Sequence, residues 1–341
     1  GGLGRPPRGQ RSRPAARRGR GPSLSPGLRR PAALLAAFAA IIGFGALGGF
    51  GSLGGFGALG GFGAPGTAWG QRGMPEKPLI MAFTPSRDPT ALQEAADAFV
   101  AAVARLSGVP VRAQVASDYA GVVEALRSRR VDLAFVHPVG YVLARREAGC
   151  EILVRDVWQG KTAYTARFYV RKASGITRVE ELRGRTIAFV DPASSSGYIY
   201  PMVFLIKRGL VRDRDPKTFF KDALFAGTHE AALRALLQGR VDSAASFDSA
   251  PEIHLKDLAL IAQLAAVGET PEIPEAGICA RPGLPAAAIQ AVKRALLAMK
   301  KPEHAAVLKQ VYDIDGFVEA RDADYDPVRD ALELMDYRPN R

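Results

Sequence analysis

The sequence predicts an α/β protein of two lobes with a ligand cleft between them. Three observations predict it. From residue 78 onward, short apolar runs alternate with stretches that are apolar at helical spacing. That alternation runs through twice in tandem, over 79–160 and 175–265. A ten-residue phrase also recurs, LRSRRVDLAF at 126–135 and LLQGRVDSAA at 236–245. Each copy reads as a helix end, a turn and an apolar strand.

The elements follow in order. Residues 79–83 read as a strand, and 90–106 as a helix carrying Leu92, Ala95, Ala96, Phe99, Val100, Val103 and Leu106 on one face. Strand 111–115, helix 120–129, strand 131–136, helix 140–147 and strand 152–157 complete the first unit. A longer extended run at 165–170 leads to the second. It comprises helix 179–182, strand 186–190, helix 196–208, strand 223–225, helix 230–238 and strand 241–245. Residues 258–264 and 277–280 read as extended again, and the tail as helices over 285–299, 303–312 and 326–335. Such βαβ rhythm predicts largely parallel sheets. The expected division is 71–165 with 275–341 as the first lobe and 166–274 as the second. A cleft between two such lobes lies at the carboxyl ends of their strands.

The N-terminal 70 residues read as an address rather than a fold. Arg29 and Arg30 precede an apolar stretch, 31–42, which is the layout of a secretory signal. Four glycine-rich hexapeptides follow: GFGALG, GFGSLG, GFGALG and GFGAPG. Ala68 and Gly70 supply small residues for cleavage after Gly70. Residues 31–64 are also uncharged and long enough to span a bilayer, so retention as an anchor stays open. The pairs Arg17-Arg18 and Arg29-Arg30 leave a twin-arginine route open beside the general one.

Composition narrows the function. The 341 residues are 48% hydrophobic and 23% charged, with a net charge of +12. Nine of the 46 basic residues lie in 1–30, with no acid among them, which leaves 37 basic against 34 acidic residues for the rest. The folded part is nearly balanced and carries no nucleic-acid signature. The two cysteines, Cys150 and Cys279, form no metal-binding pattern, and whether they pair is open.

The most informative stretch is FVDPASSSGYIYP, 189–201. A strand ends at Asp191, Pro192 breaks it, and three serines and a glycine open a helix. The first N–H groups of a helix lack internal partners and carry about half a positive charge between them. Serine hydroxyls add donors, and Gly197 allows close approach. Together they make an anion cradle without lysine.

This stretch resembles the Asp-Pro-x-Ser-Ser/Thr-Ser-Gly-Tyr/Phe motif of the phosphate/phosphite/phosphonate-binding proteins of ABC importers. Four further stretches, in the same order, resemble that family: SDYAGVV (117–123), VDLAF (131–135), GTHE (227–230) and IPE (273–275). The resemblance spans about 79–302. It implies a bilobed periplasmic-binding-protein fold of the type II-like kind, a periplasmic location and no enzymatic activity. It further implies a small oxyanion ligand and an inner-membrane ABC permease as partners, a monomer, and no cofactor or metal. Carried over residue by residue, it implies that Ser194, Ser195, Ser196, His229 and Tyr119 grip the anion. Asp248 stands near the family's other acidic position, and His137 occupies a strand end facing the cleft. Ala276 stands where members that read aminophosphonates carry an acid, although Glu275 is adjacent. From that, 2-aminoethylphosphonate is expected to bind no better than uncharged alkyl analogues.

Ser194, Ser195, Ser196, His229 and Asp248 could also suggest a hydrolase triad, but no GxSxG elbow is present. Another small anion, a thiamine-precursor-like ligand and an enzyme built on the same scaffold remain as alternatives.

Overall fold

A computed structural model describes residues 75–337. The leader and hexapeptide repeats expected over 1–70 lie outside the described residues. Two sheets organise the rest. The chain runs β1 (Leu79–Phe83), α1 (Pro89–Ser107), β2 (Val111–Val115), α2 (Tyr119–Arg127), β3 (Leu133–Val136), α3 (Pro138–Ala148) and β4 (Glu151–Val157). It crosses over through β5 (Ala163–Tyr164) into β6 (Ala166–Arg171), β7 (Thr186–Phe189), α4 (Tyr200–Lys207), β8 (Asp222–Phe225), α5 (His229–Leu237) and β9 (Ser243–Phe247). Then come α6 (Ala250–His254), α7 (Leu258–Ile261), β10 (Leu264–Glu269) and the return crossing β11 (Ile273–Pro274). The chain finishes with β12 (Gly277–Ala280), α8 (Ala286–Ala298), α9 (Ala305–Tyr312), β13 (Gly316–Glu319) and α10 (Asp326–Leu334).

The first sheet has the order β13-β4-β12-β3-β1-β2 and the second β10-β6-β9-β7-β8. In each, three parallel strands form the unit (β2-β1-β3 and β8-β7-β9), and a strand reached through a crossing joins it antiparallel (β12 and β6). The sheets are therefore mixed rather than largely parallel, because each lobe borrows a strand from the far side of a crossing. The crossings pair with each other, Ile273 opposite Tyr164 and Pro274 opposite Ala163.

The recurring phrase has a structural meaning. Asp132 accepts the Ile80 N–H at 2.9 Å, and Asp242 accepts the Thr186 N–H at 2.9 Å. In both lobes the aspartate of Val-Asp ties the third parallel strand to the first. Arg130 N–H to Ala125 O and Arg240 N–H to Ala235 O close the preceding turns alike, both at 2.9 Å.

Local rules account for most helix ends. Asp88 caps α1 through the Ala91 N–H, Pro89 opens it, and Gly108 closes it at φ 71°, a left-handed geometry that favours glycine. Residues 258–264 depart from the extended expectation. Asp257 accepts the Ala259 N–H at 2.8 Å and starts the short helix α7, which leaves Leu258 82% exposed, and the strand begins only at Leu264. Strand β9 begins at Ser243, two residues later than expected, and the edge strand β13 has too few apolar residues to signal itself. Aromatic packing of Phe83, Phe99, Phe135 and Phe317 fills the first lobe; Phe168, Phe189 and Phe220 are buried in the second. Helix α10 packs on α3 and also reaches α4.

Candidate functional site

The cleft holds a cavity of about 150 Å³ at the carboxyl ends of strands from both sheets. The second lobe contributes the serines. After β7, the chain turns at Asp191 and enters a π-helical turn, Ser195–Ile199, before α4 begins. Ser194 caps this turn by accepting the Gly197 N–H at 3.0 Å. A Cβ on Gly197 would lie 2.4 Å from Val190 and 2.7 Å from the Ser194 hydroxyl, so the turn closes this tightly only with glycine. All three serines are buried.

Each serine hydroxyl meets a group from outside its own lobe's core. Ser194 lies close to the Tyr119 hydroxyl, from the first turn of α2. Ser196 lies close to Tyr164, on the crossing strand β5. Ser195 reaches the start of α3: its oxygen accepts the Val139 N–H at 3.0 Å and lies 3.2 Å from His137 Nδ1. His137 Nδ1 also accepts the Gly140 N–H at 3.2 Å, so that nitrogen carries no proton and Ser195 donates to it. Two helix starts, those of α3 and the π-helical turn, therefore meet across the cleft.

Three histidines line the cavity. His229, at the start of α5, pairs its Nδ1 with the Ser246 hydroxyl at 2.7 Å. His254, at the end of α6, lies parallel to it with 6.0 Å between ring centres, and its buried Nε2 has no partner. The His137 ring tilts against Tyr119 at 4.7 Å. Burial holds all three neutral: His137 is pushed down to about 3, His254 to about 4, and His229 well below the ordinary imidazole range. Burial likewise pushes the Tyr119 hydroxyl up.

The cavity is also lined by two carboxyl groups, Asp156 at the end of β4 and Glu275 after β11. Asp156 is 3% exposed and its Oδ1 has no partner. Burial raises both well above the usual carboxylate range, and for Glu275 the neighbouring Asp156 and Asp248 add to the shift. Tyr164, Phe247, Trp158, Tyr312 and Ile314 fill the remaining wall.

The structure therefore gathers Tyr119, His137, Ser194, Ser195, Ser196 and His229 around one cavity. Asp248 stands apart from that group. Its side chain accepts from Thr165 at 3.4 Å, behind the wall, while its neighbours Phe247 and Ser249 reach the cavity. Sequence reasoning missed Asp156 and His254. Asp156 sits in an ordinary strand pattern and His254 is isolated in sequence, so neither carried a signal. Ala276 does line the cavity, but Glu275 lines it too, so the substituent side is not free of acid.

Fold and site together define a two-lobed α/β protein with a cavity between its lobes, lined by hydroxyl and imidazole groups from both. The family described as "ABC transporter, phosphonate, periplasmic substrate-binding protein" matches residues 81–325, and the chain belongs to it. A phosphate-import protein, PhnD, of Mycolicibacterium smegmatis is 30% identical over 184 residues, covering 52% of this chain and 57% of that protein. The phosphonates-binding periplasmic protein of Escherichia coli is 29% identical over 167 residues, covering 45% of this chain and 48% of its own. The chain thus spans about half the length of the curated relatives it matches. Among solved structures, a binding component of an ABC phosphonate transporter from Pseudomonas aeruginosa matches with TM-score 0.69 at 23% identity, over 76% of this chain and 87% of that one. PhnD1 from Prochlorococcus marinus, in complex with methylphosphonate, matches with TM-score 0.68 at 20% identity, over 76% and 98%. These likenesses establish the bilobed periplasmic-binding fold that the motifs led one to expect.

Proposed function

We propose that this chain is the periplasmic substrate-binding component of an ABC importer, closing on a phosphonate, phosphite or phosphate ion and presenting it to a membrane permease. The observation that carries this reading is the convergence of Ser194, Ser195 and Ser196 with Tyr119, His137 and His229 on one cavity that no described Lys or Arg lines. In that reading the anion displaces the cross-cleft bonds. Ser195 turns its proton from His137 to a ligand oxygen, and the Val139 N–H, freed from Ser195, points the same way. Tyr119 donates from the first lobe. Residues 71–165 with 275–341 and residues 166–274 are the bodies that close, about the paired crossings β5 and β11.

The same geometry speaks against hydrolysis. His229 pairs with Ser246, and neither oriented carboxylate nor raised basicity equips His137 as a base for Ser195. A binding protein of this kind returns its ligand unchanged from the denatured complex.

A second observation refines the ligand. Asp156 is buried and Glu275 half-buried, both line the cavity, and no described cation lines it beside them. A buried carboxylate is stabilised by an opposite charge. A ligand with an anionic phosphonate at one end and an ammonium at the other satisfies both the hydroxyl donors and the carboxyl groups, which reverses the expectation drawn from Ala276. Calorimetry against methylphosphonate, phosphite, phosphate, ethylphosphonate, 2-aminoethylphosphonate and methanesulfonate tests both readings. Binding of 2-aminoethylphosphonate ahead of ethylphosphonate supports the zwitterion. Equal binding removes the refinement alone, and no binding by any phosphorus oxyanion removes the whole proposal.

A further inference from the structure

Cys150 lies in the turn between α3 and β4, and Cys279 in the neighbouring strand β12. The register places Glu151 opposite Ala280 and Ile152 opposite Cys279. Cys150 therefore shares a face with Cys279, one step along the diagonal. The ladder is regular from Cys279 to Ala280, but Cys150 lies just before the strand and gives its N–H to Ala144 O, so its backbone is not held in the ladder. Both thiols are free and fully buried, and each perturbs the ionisation of the other, so they lie close together. Among the described residues no cluster of His, Cys, Asp or Glu could hold a metal, which leaves the pair without a metal role.

We infer that Cys150 and Cys279 form a disulfide in the exported protein. The inference rests on the periplasmic location proposed above, where disulfides persist. One cysteine loses its proton and attacks an external disulfide compound, releasing a thiol. The second cysteine then attacks the mixed disulfide and releases the other. Two protons and two electrons leave the protein, and the external disulfide becomes two thiols. Cys150 is suited to attack first, because the partner thiol and then the charges of Arg145 and Arg281 favour its ionised form. Full burial of both sulfurs means that the bridge forms while the sheet is still assembling and is shielded from reductants afterwards. It closes a loop containing the entire second sheet and both crossings. It also joins the strand that leads out to β5 to the strand that returns from β11, and so fixes the roots of the hinge.

The test refolds the reduced, denatured full chain in oxidised and reduced glutathione, then denatures it and traps thiols with N-ethylmaleimide. The expected product carries no label and weighs two hydrogens less, while Cys150→Ser and Cys279→Ser each carry one label. Reducing the bridged form under denaturing conditions, and refolding it without oxidant, should lower its melting temperature by roughly 5–15 °C. The double serine variant should keep oxyanion affinity within a few-fold, since neither cysteine lines the cavity. Two labels on the wild type after oxidative refolding overturn the inference, as do two labels on chain collected from the periplasm. Absence of the chain from the periplasm counts against the location, and the refolding result still decides the bridge.

Discussion

Replacing Ser195 with alanine separates binding from folding in a way that replacing Ser194 does not. Ser194 caps the turn beneath the site through the Gly197 N–H, so Ser194→Ala should cost about 1 kcal/mol of folding stability. Ser195 caps nothing in its own lobe. Its oxygen accepts the Val139 N–H from the opposite lobe and its proton goes to His137. When the cleft opens, water satisfies both groups, so Ser195→Ala should leave the melting temperature of the free protein within a degree or two. In the complex the same hydroxyl bonds a charged oxygen, worth about 1.5–3 kcal/mol. At about 1.4 kcal/mol per decade, affinity for methylphosphonate should fall roughly 10- to 150-fold. Calorimetry supplies the affinity and thermal melts the stability, with Ser194→Ala as the comparison. Unchanged affinity in Ser195→Ala would refute the assigned role. So would a larger loss of folding stability than in Ser194→Ala, because the cross-cleft bond would then be structural.

Glu275→Gln and Asp156→Asn should each weaken 2-aminoethylphosphonate about 10- to 100-fold while leaving ethylphosphonate within a few-fold, measured by calorimetry. Both carboxyls keep their protons to a higher pH in the fold than in the unfolded chain, where they lose them near pH 4. They therefore cost stability progressively as pH rises above about 4, and the two amide variants should melt higher than wild type at pH 7. The buried histidines act in the opposite direction. The unfolded chain takes up protons below about pH 6.5 that His137, His229 and His254 refuse, so stability should fall as pH drops from about 6.5 toward 4. Melts of His254→Gln should show a shallower decline. Intact-mass measurement of exported protein should find a chain starting near Gln71, and retention of the Gly-Phe repeats would favour an anchor instead.

Much of this architecture was legible because the chain states it twice. The Val-Asp phrase announced two equivalent units, and Asp132 and Asp242 make the same bond in both. The serine motif was legible because three hydroxyls and a glycine after a strand have few other uses. What escaped depends on distant contacts. Strand β12 joins the first sheet beside β3, more than a hundred residues away in sequence, so the mixed direction of the sheet cannot be read locally. Asp156 looked like the polar face of a strand, and only the fold shows that it lines the same cavity as the serines. His137 was read only as a strand end facing the cleft; its ring also caps α3 and accepts a hydrogen bond from Ser195.

Because the start of α3 already engages Ser195, and Tyr119 and Tyr164 lie beside Ser194 and Ser196, the cleft is, in the proposed function, its own rival for the anion. An arriving oxyanion exchanges partners with the protein rather than filling empty donors, so the net gain is smaller than the number of bonds in the complex suggests. The reverse exchange is open at every moment. Pulling the lobes apart, or nudging one tyrosine back to its serine, loosens the cargo stepwise without ever exposing a bare, unsatisfied hydroxyl. Such a site trades ultimate grip for easy unloading.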